Sequence, residues 1–238
     1  EVAMTAVPLV SVIVPFYNSA DTVCRAVRSI LRQTVKDIEV LAIDDGSTDD
    51  GYRALQSLRD SRVRLHRNQK NLGVAAARNR GLDLARGEFI AFMDADDTSH
   101  GRRLEWQIAA MHTHSEVGIC GGWMRVHRRG TLPFVFRQPC KADAVRAMWL
   151  YGPPFCLAST MIKRQLVARA GLRYDEKLRT GEDYDFTSRF MRHTSGMNIP
   201  KVVYCYRWNP NGLTAHGASG RNTRRAEILR AGLEHLLD

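Results

Sequence analysis

The sequence predicts an α/β protein with a mostly parallel central sheet and helices on both faces. Over the first hundred residues, short β-branched runs alternate four times with segments of helical periodicity. Strands joined by helices in this way pair in parallel through right-handed crossovers. The 238 residues are 44% hydrophobic and 25% charged, with a mean hydropathy of −0.31, which is typical of one ordinary globular domain.

The first half of the chain carries the clearest pattern. Residues 9–15 form a Val- and Ile-rich run that stops at Pro15, as expected for a buried strand. Asp21 is expected to cap the helix that follows, because its side chain can accept a hydrogen bond from a first-turn amide. Further strands are predicted over residues 38–43, 63–66 and 88–93, with helices over residues 52–58 and 71–84.

After residue 100 the alternation changes to a smaller α+β portion packed on the first half. The predicted elements are a helix over 104–111, strands over 117–126 and 134–136, a helix ending at Trp149, a strand over 156–162, a helix beginning at 181 and a strand over 201–206. We therefore divide the chain into a leader without a fold of its own (1–8), a first half (9–100), a second half (101–214) and a C-terminal helix (215–238), all within one domain.

Charge is distributed unevenly along the chain. The net charge is +10, but residues 1–119 hold 15 basic and 16 acidic residues, whereas residues 120–238 hold 20 and 9. The second half is therefore expected to face an anionic partner. The five cysteines are scattered and form no C-x-x-C pair, which favours reduced thiols in a cytoplasmic protein. Neither a signal peptide nor an apolar run of membrane-spanning length is predicted.

Carboxylates follow two of the predicted strands. Asp44 and Asp45 follow the second strand, and Asp94, Asp96 and Asp97 follow the fourth. Since the carboxyl ends of parallel strands meet at one edge of a sheet, these loops are expected to face one crevice. Two acidic loops repel each other unless a cation or ligand hydroxyls lie between them, and such oxygens suit Mg²⁺ or Mn²⁺. The alternative is a solvated turn in which Asp97 caps the next helix.

The usual sequence motifs for gripping phosphate are missing. No G-x-G-x-x-G follows a predicted strand, and no G-x-x-x-x-G-K-[ST] is present. Dinucleotide-binding and P-loop proteins depend on those glycine-rich loops. Phosphate charge would therefore be met by a metal ion and by Arg78, which follows the Gly73 turn at the same edge.

Five segments in a fixed order carry a family resemblance. They are VIVPFYN (12–18), IDDGSTD (43–49), NLGVAAARNRGL (71–82), GEFIAFMDADD (87–97) and GEDYD (181–185). On these segments, which lie within residues 9–208, the chain resembles the inverting family 2 glycosyltransferases of the GT-A fold, a Rossmann-like nucleotide-diphospho-sugar transferase fold. The resemblance implies that residues 9–100 bind the donor and that residues 101–214 bind the acceptor and supply the catalytic base.

The resemblance also implies roles for individual residues in the donor half. The implied donor-binding residues are Pro15, Tyr17, Asn18, Asp44, Asp45, Arg78, Asp94, Ala95 and Asp96. Tyr17 would stack on the base, Asp45 would accept a hydrogen bond from it while Asp44 supports the loop, and Arg78 would reach the base or the diphosphate. The implied ligands for Mn²⁺ or Mg²⁺ are Asp94 and Asp96, with Asp97 as an alternative direct ligand and His216 as a further candidate.

Catalysis and acceptor binding are implied for the second half. Asp183 resembles the family's general base, with Glu182 beside it, and both lie at a predicted helix start where the dipole favours a carboxylate. Trp149 and Tyr151 are candidates for acceptor binding, and packing in the core or at its rim is the alternative for Trp149. The family often has a histidine soon after Tyr-Arg, where this chain has Asn209.

The function implied is transfer of a hexosyl or N-acetylhexosaminyl group, with UDP as the expected nucleotide. The acceptor would be a glycan or lipid-linked hydroxyl in bacterial polysaccharide or cell-envelope synthesis, and the protein could contact the inner face of the membrane peripherally. Two alternatives remain. A sugar-1-phosphate nucleotidyltransferase would usually show a Gly-rich loop after the first strand, and a nucleic-acid-binding module would show basic rather than acidic strand ends.

Overall fold

The computed structural model describes residues 7–149, 151–178 and 180–209. The first half forms the parallel part of a sheet in the order β3-β2-β1-β4. Its elements are β1 (Val10–Phe16), α1 (Val23–Leu31), β2 (Ile38–Asp44), α2 (Gly51–Gln56), β3 (Val63–Arg67), α3 (Val74–Leu84) and β4 (Phe89–Phe92). The four strands and three helices predicted for this half are all present.

The second half extends the same sheet instead of forming a separate layer. Strand β5 (Thr98–Ser99) ends the first half, and the elements of the second half are α4 (Arg103–Thr113), β6 (Val117–His127), β7 (Phe134–Phe136), α5 (Ala142–Trp149), a 3₁₀ turn (Leu157–Ser159), β8 (Met161–Lys163), α6 (Arg164–Arg169), α7 (Glu182–Met191) and β9 (Ser195–Arg207). The full order is β3-β2-β1-β4-β8-β6-β9-β5, with β7 paired to β6. Strands β6 and β9 run in the same direction as β1–β4, while β5, β7 and β8 run against them. The mostly parallel α/β fold is confirmed.

Helices cover both faces of the sheet, as the sequence predicts. Val12 and Val14 of β1 belong to a core cluster on one face that includes residues of α1 and α4, and Ile13 belongs to a second cluster on the other face that includes residues of α3, α5 and α7. The alternation follows from the twofold side-chain period of a strand. Gly81 lets α3 approach closely, because a Cβ at this position would lie 2.5 Å from the Ile13 side chain.

Several local predictions need correction. Helix α1 begins after Thr22, and no side-chain cap is formed there, so Asp21 is not its cap. The strand predicted over 156–162 forms only from Met161, and the 3₁₀ turn Leu157–Ser159 precedes it. The Ser159 and Thr160 hydroxyls donate to nearby carbonyls at 2.8 and 2.7 Å, and such local bonds compete with a sheet ladder. Strand β5 and helix α6 were not predicted.

Some predictions fall on parts of the chain that lie outside the described residues. These are residues 1–6 of the leader, His216 and the C-terminal helix over residues 215–238. Within the described residues, no helix combines the length and the apolar character needed to cross a bilayer.

Candidate active site

The loops after β1 and β2 are joined to each other at the carboxyl edge of the sheet. Asn18 adopts a left-handed backbone conformation, with a φ of 47°, which asparagine tolerates better than most residues. Its side-chain Oδ1 accepts a hydrogen bond from the backbone N–H of Thr48 at 2.8 Å, and its backbone N–H donates to the Ser47 hydroxyl at 3.0 Å. Pro15 is buried within β1, while Tyr17 is exposed at the edge. Tyr17 is thus accessible for the stacking role predicted for it.

Asp44 supports its loop, in keeping with the sequence-based interpretation. Its buried carboxylate accepts the Ser47 amide at 2.9 Å and forms an ion pair with Arg67 Nε at 3.1 Å. These two contacts hold the turn after β2 against the end of β3.

Asp45 makes more contacts with the protein than expected. Its buried carboxylate accepts hydrogen bonds from Asn68 Nδ2 at 2.7 Å and from the amides of Leu72 and Gly73 at 3.1 and 2.7 Å. It therefore fixes the loop that opens α3. Its contact with a nucleotide base stays a prediction.

Arg78 connects the two halves of the site. This buried side chain of α3 donates through Nη1 to Glu182 Oε1 at 2.8 Å and through Nη2 to Asp94 Oδ1 at 3.4 Å. Its guanidinium also lies 5.6 Å from the centre of the Tyr174 ring. Burial raises the pKa of Glu182, and the Arg78 charge limits that rise. Arg78 thus holds the start of α7 beside the turn after β4, and a direct contact with the base or diphosphate stays a prediction.

The turn after β4 exposes two carboxylates to the crevice. Asp94 and Asp96 are partly exposed, whereas Ala95 between them is buried. Burial, and then the neighbouring Asp94, raise the pKa of Asp96. The Asp96 carbonyl accepts a hydrogen bond from Arg25 Nη2 of α1 at 3.1 Å, and the Asp94 amide donates to the Tyr204 hydroxyl at 3.1 Å. The turn is therefore held from both sides by residues that the sequence did not mark.

Asp97 differs from the other two carboxylates. Its side chain is only 1% exposed and accepts the amide of Arg207 in β9 at 2.7 Å. Burial, with Asp94 as a second cause, raises the pKa of Asp97 to about 8. Because Asp97 Oδ1 accepts from β9, Asp97 is held differently from its neighbours, and its role as a direct metal ligand stays a prediction. Asp94 and Asp96 are the more exposed carboxylates of this turn.

The acidic pair at the start of α7 lies beside this turn. Gly181 precedes the helix with a φ of 78°, and Glu182 and Asp183 form its first turn. Glu182 is buried on Arg78, whereas Asp183 is partly exposed and accepts the Tyr184 amide at 2.8 Å. The N-terminal end of a helix favours negative charge. The predicted base is therefore on a rigid element and accessible to a ligand.

The two residues predicted to bind the acceptor differ in their exposure. Trp149 is 4% exposed, and its Nε1 donates to the Ser188 hydroxyl of α7 at 2.9 Å, so it is a core residue and not a stacking platform for a sugar. Tyr151 is 73% exposed, and its role as an acceptor contact stays a prediction.

The carboxylates of the described residues suit a metal ion that takes its remaining ligands from the substrate and from water. No three His, Cys, Asp or Glu side chains within the described ranges converge into a complete metal centre. Mg²⁺ is commonly held by one or two carboxylates, with phosphate oxygens and water filling the other positions. Asp94 and Asp96 match that donor set.

Comparison with known proteins identifies the family. The family model described as glycosyl transferase family 2 matches residues 11–166. The chain belongs to glycosyl transferase family 2. The matched region contains every candidate donor residue but ends before Glu182 and Asp183.

Two curated family 2 relatives are similar over different lengths. The glycosyltransferase EpsJ of Bacillus subtilis is 31% identical over 227 residues, covering 87% of this chain and 63% of EpsJ. The UDP-Glc:alpha-D-GlcNAc-diphosphoundecaprenol beta-1,3-glucosyltransferase WfaP of Escherichia coli is 42% identical over 105 residues, covering 44% of this chain and 42% of WfaP. The chain therefore spans less than two thirds of the length of these relatives.

Solved structures confirm the GT-A fold expected of a family 2 chain. Staphylococcus aureus TarS in complex with UDP-GlcNAc superposes with a TM-score of 0.79 at 22% identity, covering 96% of this chain and 66% of TarS. The mannosyltransferase PcManGT of Pyrobaculum calidifontis, in complex with GDP-Man and Mn²⁺, superposes with a TM-score of 0.72 at 21% identity, covering 98% of this chain and 66% of PcManGT.

Proposed function

We propose that this chain is a metal-dependent, inverting glycosyltransferase that moves a sugar from a UDP-sugar to a hydroxyl of a lipid-linked or glycan acceptor. The observation that carries the proposal is the Arg78 bridge. It joins Asp94 in the donor turn to Glu182, 104 residues from Arg78 in sequence. Because this contact holds Glu182 beside the donor turn, its neighbour Asp183 would lie near the donor, where an inverting base is needed.

Asp183 would act as general base. It would take the proton of the acceptor hydroxyl as that oxygen attacks the anomeric carbon from the face opposite the leaving group. The bond between the anomeric carbon and the diphosphate oxygen then breaks, and the configuration inverts. A positioned base of this kind contributes typically about 10²–10⁴-fold to the rate.

Asp94 and Asp96 would hold Mn²⁺ or Mg²⁺ together with the donor. When bound, such an ion neutralises the charge that develops on the departing diphosphate. Arg25 and Arg207 add positive charge near Asp96, since both act to lower its pKa. The Mn²⁺ named in the PcManGT complex supports this assignment.

The substrate class is supported by the names of the relatives. UDP is favoured because TarS is described in complex with UDP-GlcNAc and WfaP is named for UDP-Glc, although PcManGT is described with GDP-Man. A lipid-linked acceptor is favoured by the diphosphoundecaprenol in the name of WfaP. Family membership favours glycosyl transfer over the nucleotidyltransferase alternative, and the carboxylate-lined crevice argues against nucleic-acid binding there.

Replacing the base tests the proposal. Asp183→Asn should lower turnover at least 100-fold while UDP binding, measured by calorimetry, stays within about twofold. The matched control is Asp185→Asn in the same helical turn, since the Asp185 carboxylate accepts from Arg189 Nε at 3.0 Å. Asp185→Asn should keep most of the turnover. Full turnover by Asp183→Asn would exclude Asp183 as the base.

A further inference from the structure

An exposed hairpin projects from the same sheet edge as the candidate active site. We call residues 124–137 the arginine hairpin; it comprises the end of β6, a turn and β7. Because β6 runs parallel to β4 within the sheet, its end lies at the edge where Asp94 lies. His127 pairs with Arg207 of β9, and the Arg207 amide donates to Asp97 at 2.7 Å. The start of the hairpin is therefore connected to the donor turn through β9.

One face of the arginine hairpin is apolar and open. Phe134 and Phe136 are 53% and 42% exposed and lie opposite Val126 and Met124 in the register. Leu132, in the turn, is 89% exposed. Single exposed apolar side chains are common, whereas exposed apolar side chains that gather on one surface often mark an interaction site.

The charge of the hairpin has one sign. Residues 117–142 contain no Asp or Glu, whereas Arg125, Arg128, Arg129 and Arg137 are exposed in this segment. None of these four forms an ion pair with a carboxylate in the described part of the chain. Arg128 and Arg137 instead lie over the Trp208 and Trp123 rings, each 5.4 Å from the ring centre. The guanidinium charges are left for an external anion.

We propose that the arginine hairpin docks the protein on an anionic membrane surface. Aromatic and aliphatic side chains enter the headgroup region, and arginines beside them bind lipid phosphates; this combination is typical of interfacial segments. The uniform positive charge favours anionic lipid over a protein surface of mixed charge. Resting on the proposed function, this docking would bring the crevice to the plane in which a lipid-linked acceptor presents its hydroxyl.

Vesicle co-sedimentation tests the docking without any turnover. The wild-type protein should bind phosphatidylglycerol–phosphatidylcholine vesicles, bind pure phosphatidylcholine vesicles much less, and be released by salt. Each arginine near an anionic surface is worth about a fivefold change in affinity, so Arg128→Gln, Arg129→Gln and Arg137→Gln together should weaken binding about 100-fold. Replacing Phe134 and Phe136 with Thr should weaken binding at every salt concentration.

The matched control removes equal charge elsewhere. Arg28, Arg32 and Arg169 are exposed and lie outside the hairpin, and replacing all three with Gln should change vesicle binding by less than about tenfold. All variants should unfold within a few degrees of the wild type and bind UDP equally, which separates a docking defect from a failure of the donor site.

Three results would overturn the proposal. The first is wild-type protein that binds neither kind of vesicle, and the second is a hairpin variant that binds as well as its control. The third is that the protein does not bind vesicles, while its hairpin forms a contact with a second copy of the chain or binds an oligonucleotide duplex. If the wild-type protein binds vesicles but transfers no sugar, the result would instead count against the proposed function alone.

Discussion

Removing the charge of Arg78 should destabilise the fold measurably. In Arg78→Met the guanidinium is lost, and the Glu182 carboxylate, whose side chain is 11% exposed, stays without its partner. Breaking a buried pair from one side costs about 3–5 kcal/mol. The second pair adds little, because the side chain of Asp94 is 40% exposed and 3.4 Å away. We expect a loss of about 3 kcal/mol in the free energy of unfolding at pH 8.

The loss should depend on pH in a defined direction. Burial already raises the pKa of Glu182, and the rise is larger without the charge of Arg78. The folded variant then binds a proton that the unfolded chain does not, so its deficit shrinks as the pH falls toward 5. In a domain of this size, 3 kcal/mol corresponds to a fall of about 6–12 °C in Tm.

Thermal and urea unfolding at pH 8 and pH 5 measure these changes. Arg80→Met is the control in the same helix, because Arg80 Nη1 donates to the carbonyl of Arg67 at 2.7 Å and to Asn68 Oδ1, and Arg80 pairs with no carboxylate in the described residues. Adding Glu182→Gln to Arg78→Met should recover more than half of the loss. The reasoning fails if Arg78→Met unfolds within 1 kcal/mol of the wild type, or if the double variant is no better than the single one.

Two further predictions concern charge. Burial alone would raise the pKa of Glu39, but hydrogen bonds from Ser11, Arg64 and Arg86 outweigh it and lower the pKa. Glu39→Gln should therefore lose about 2 kcal/mol at pH 7, and urea titrations should show the difference from wild type vanishing as the pH falls below about 4; a constant difference would contradict this. Chelation with EDTA should abolish UDP binding measured by calorimetry, and unchanged binding would exclude a metal requirement. Asp96→Asn should abolish UDP binding even with Mn²⁺ present, and unchanged binding would remove Asp96 from the metal site.

The fold could be predicted where local periodicity is strong. Strand β1 and helix α3 lie close to their predicted bounds, because Val and Ile runs and Ala-rich turns determine their structure locally. Strand β5 could not be predicted, since its two residues pair with β9 more than a hundred residues away. The strand predicted over 156–162 overlaps β8 only at its end, because the position of β8 is set by its pairing with β4 and β6 on either side.

The sequence could predict which loops meet at the site, but not the direction or the contacts of the individual side chains. The alternation of a strand does not say which way a side chain turns after the strand ends, so Asp97 was grouped with Asp94 and Asp96 although it is directed to β9. The sequence leaves both an acceptor-binding and a packing role open for Trp149, because it does not show that Ser188 accepts the indole N–H. Tyr204 was missed because its hydroxyl lies within an otherwise ordinary strand.

The position of β8 between β4 and β6 has a consequence for protein engineering. Strand β8 of the second half pairs directly with β4 of the first half, so a chimera that joins the donor half of one family member to the acceptor half of another must rebuild that pairing. It must also rebuild the pairing of β5 with β9. It must also preserve the arginine–glutamate contact across the cut. Exchange of exposed loops, leaving the sheet intact, is therefore the better route to a new acceptor specificity.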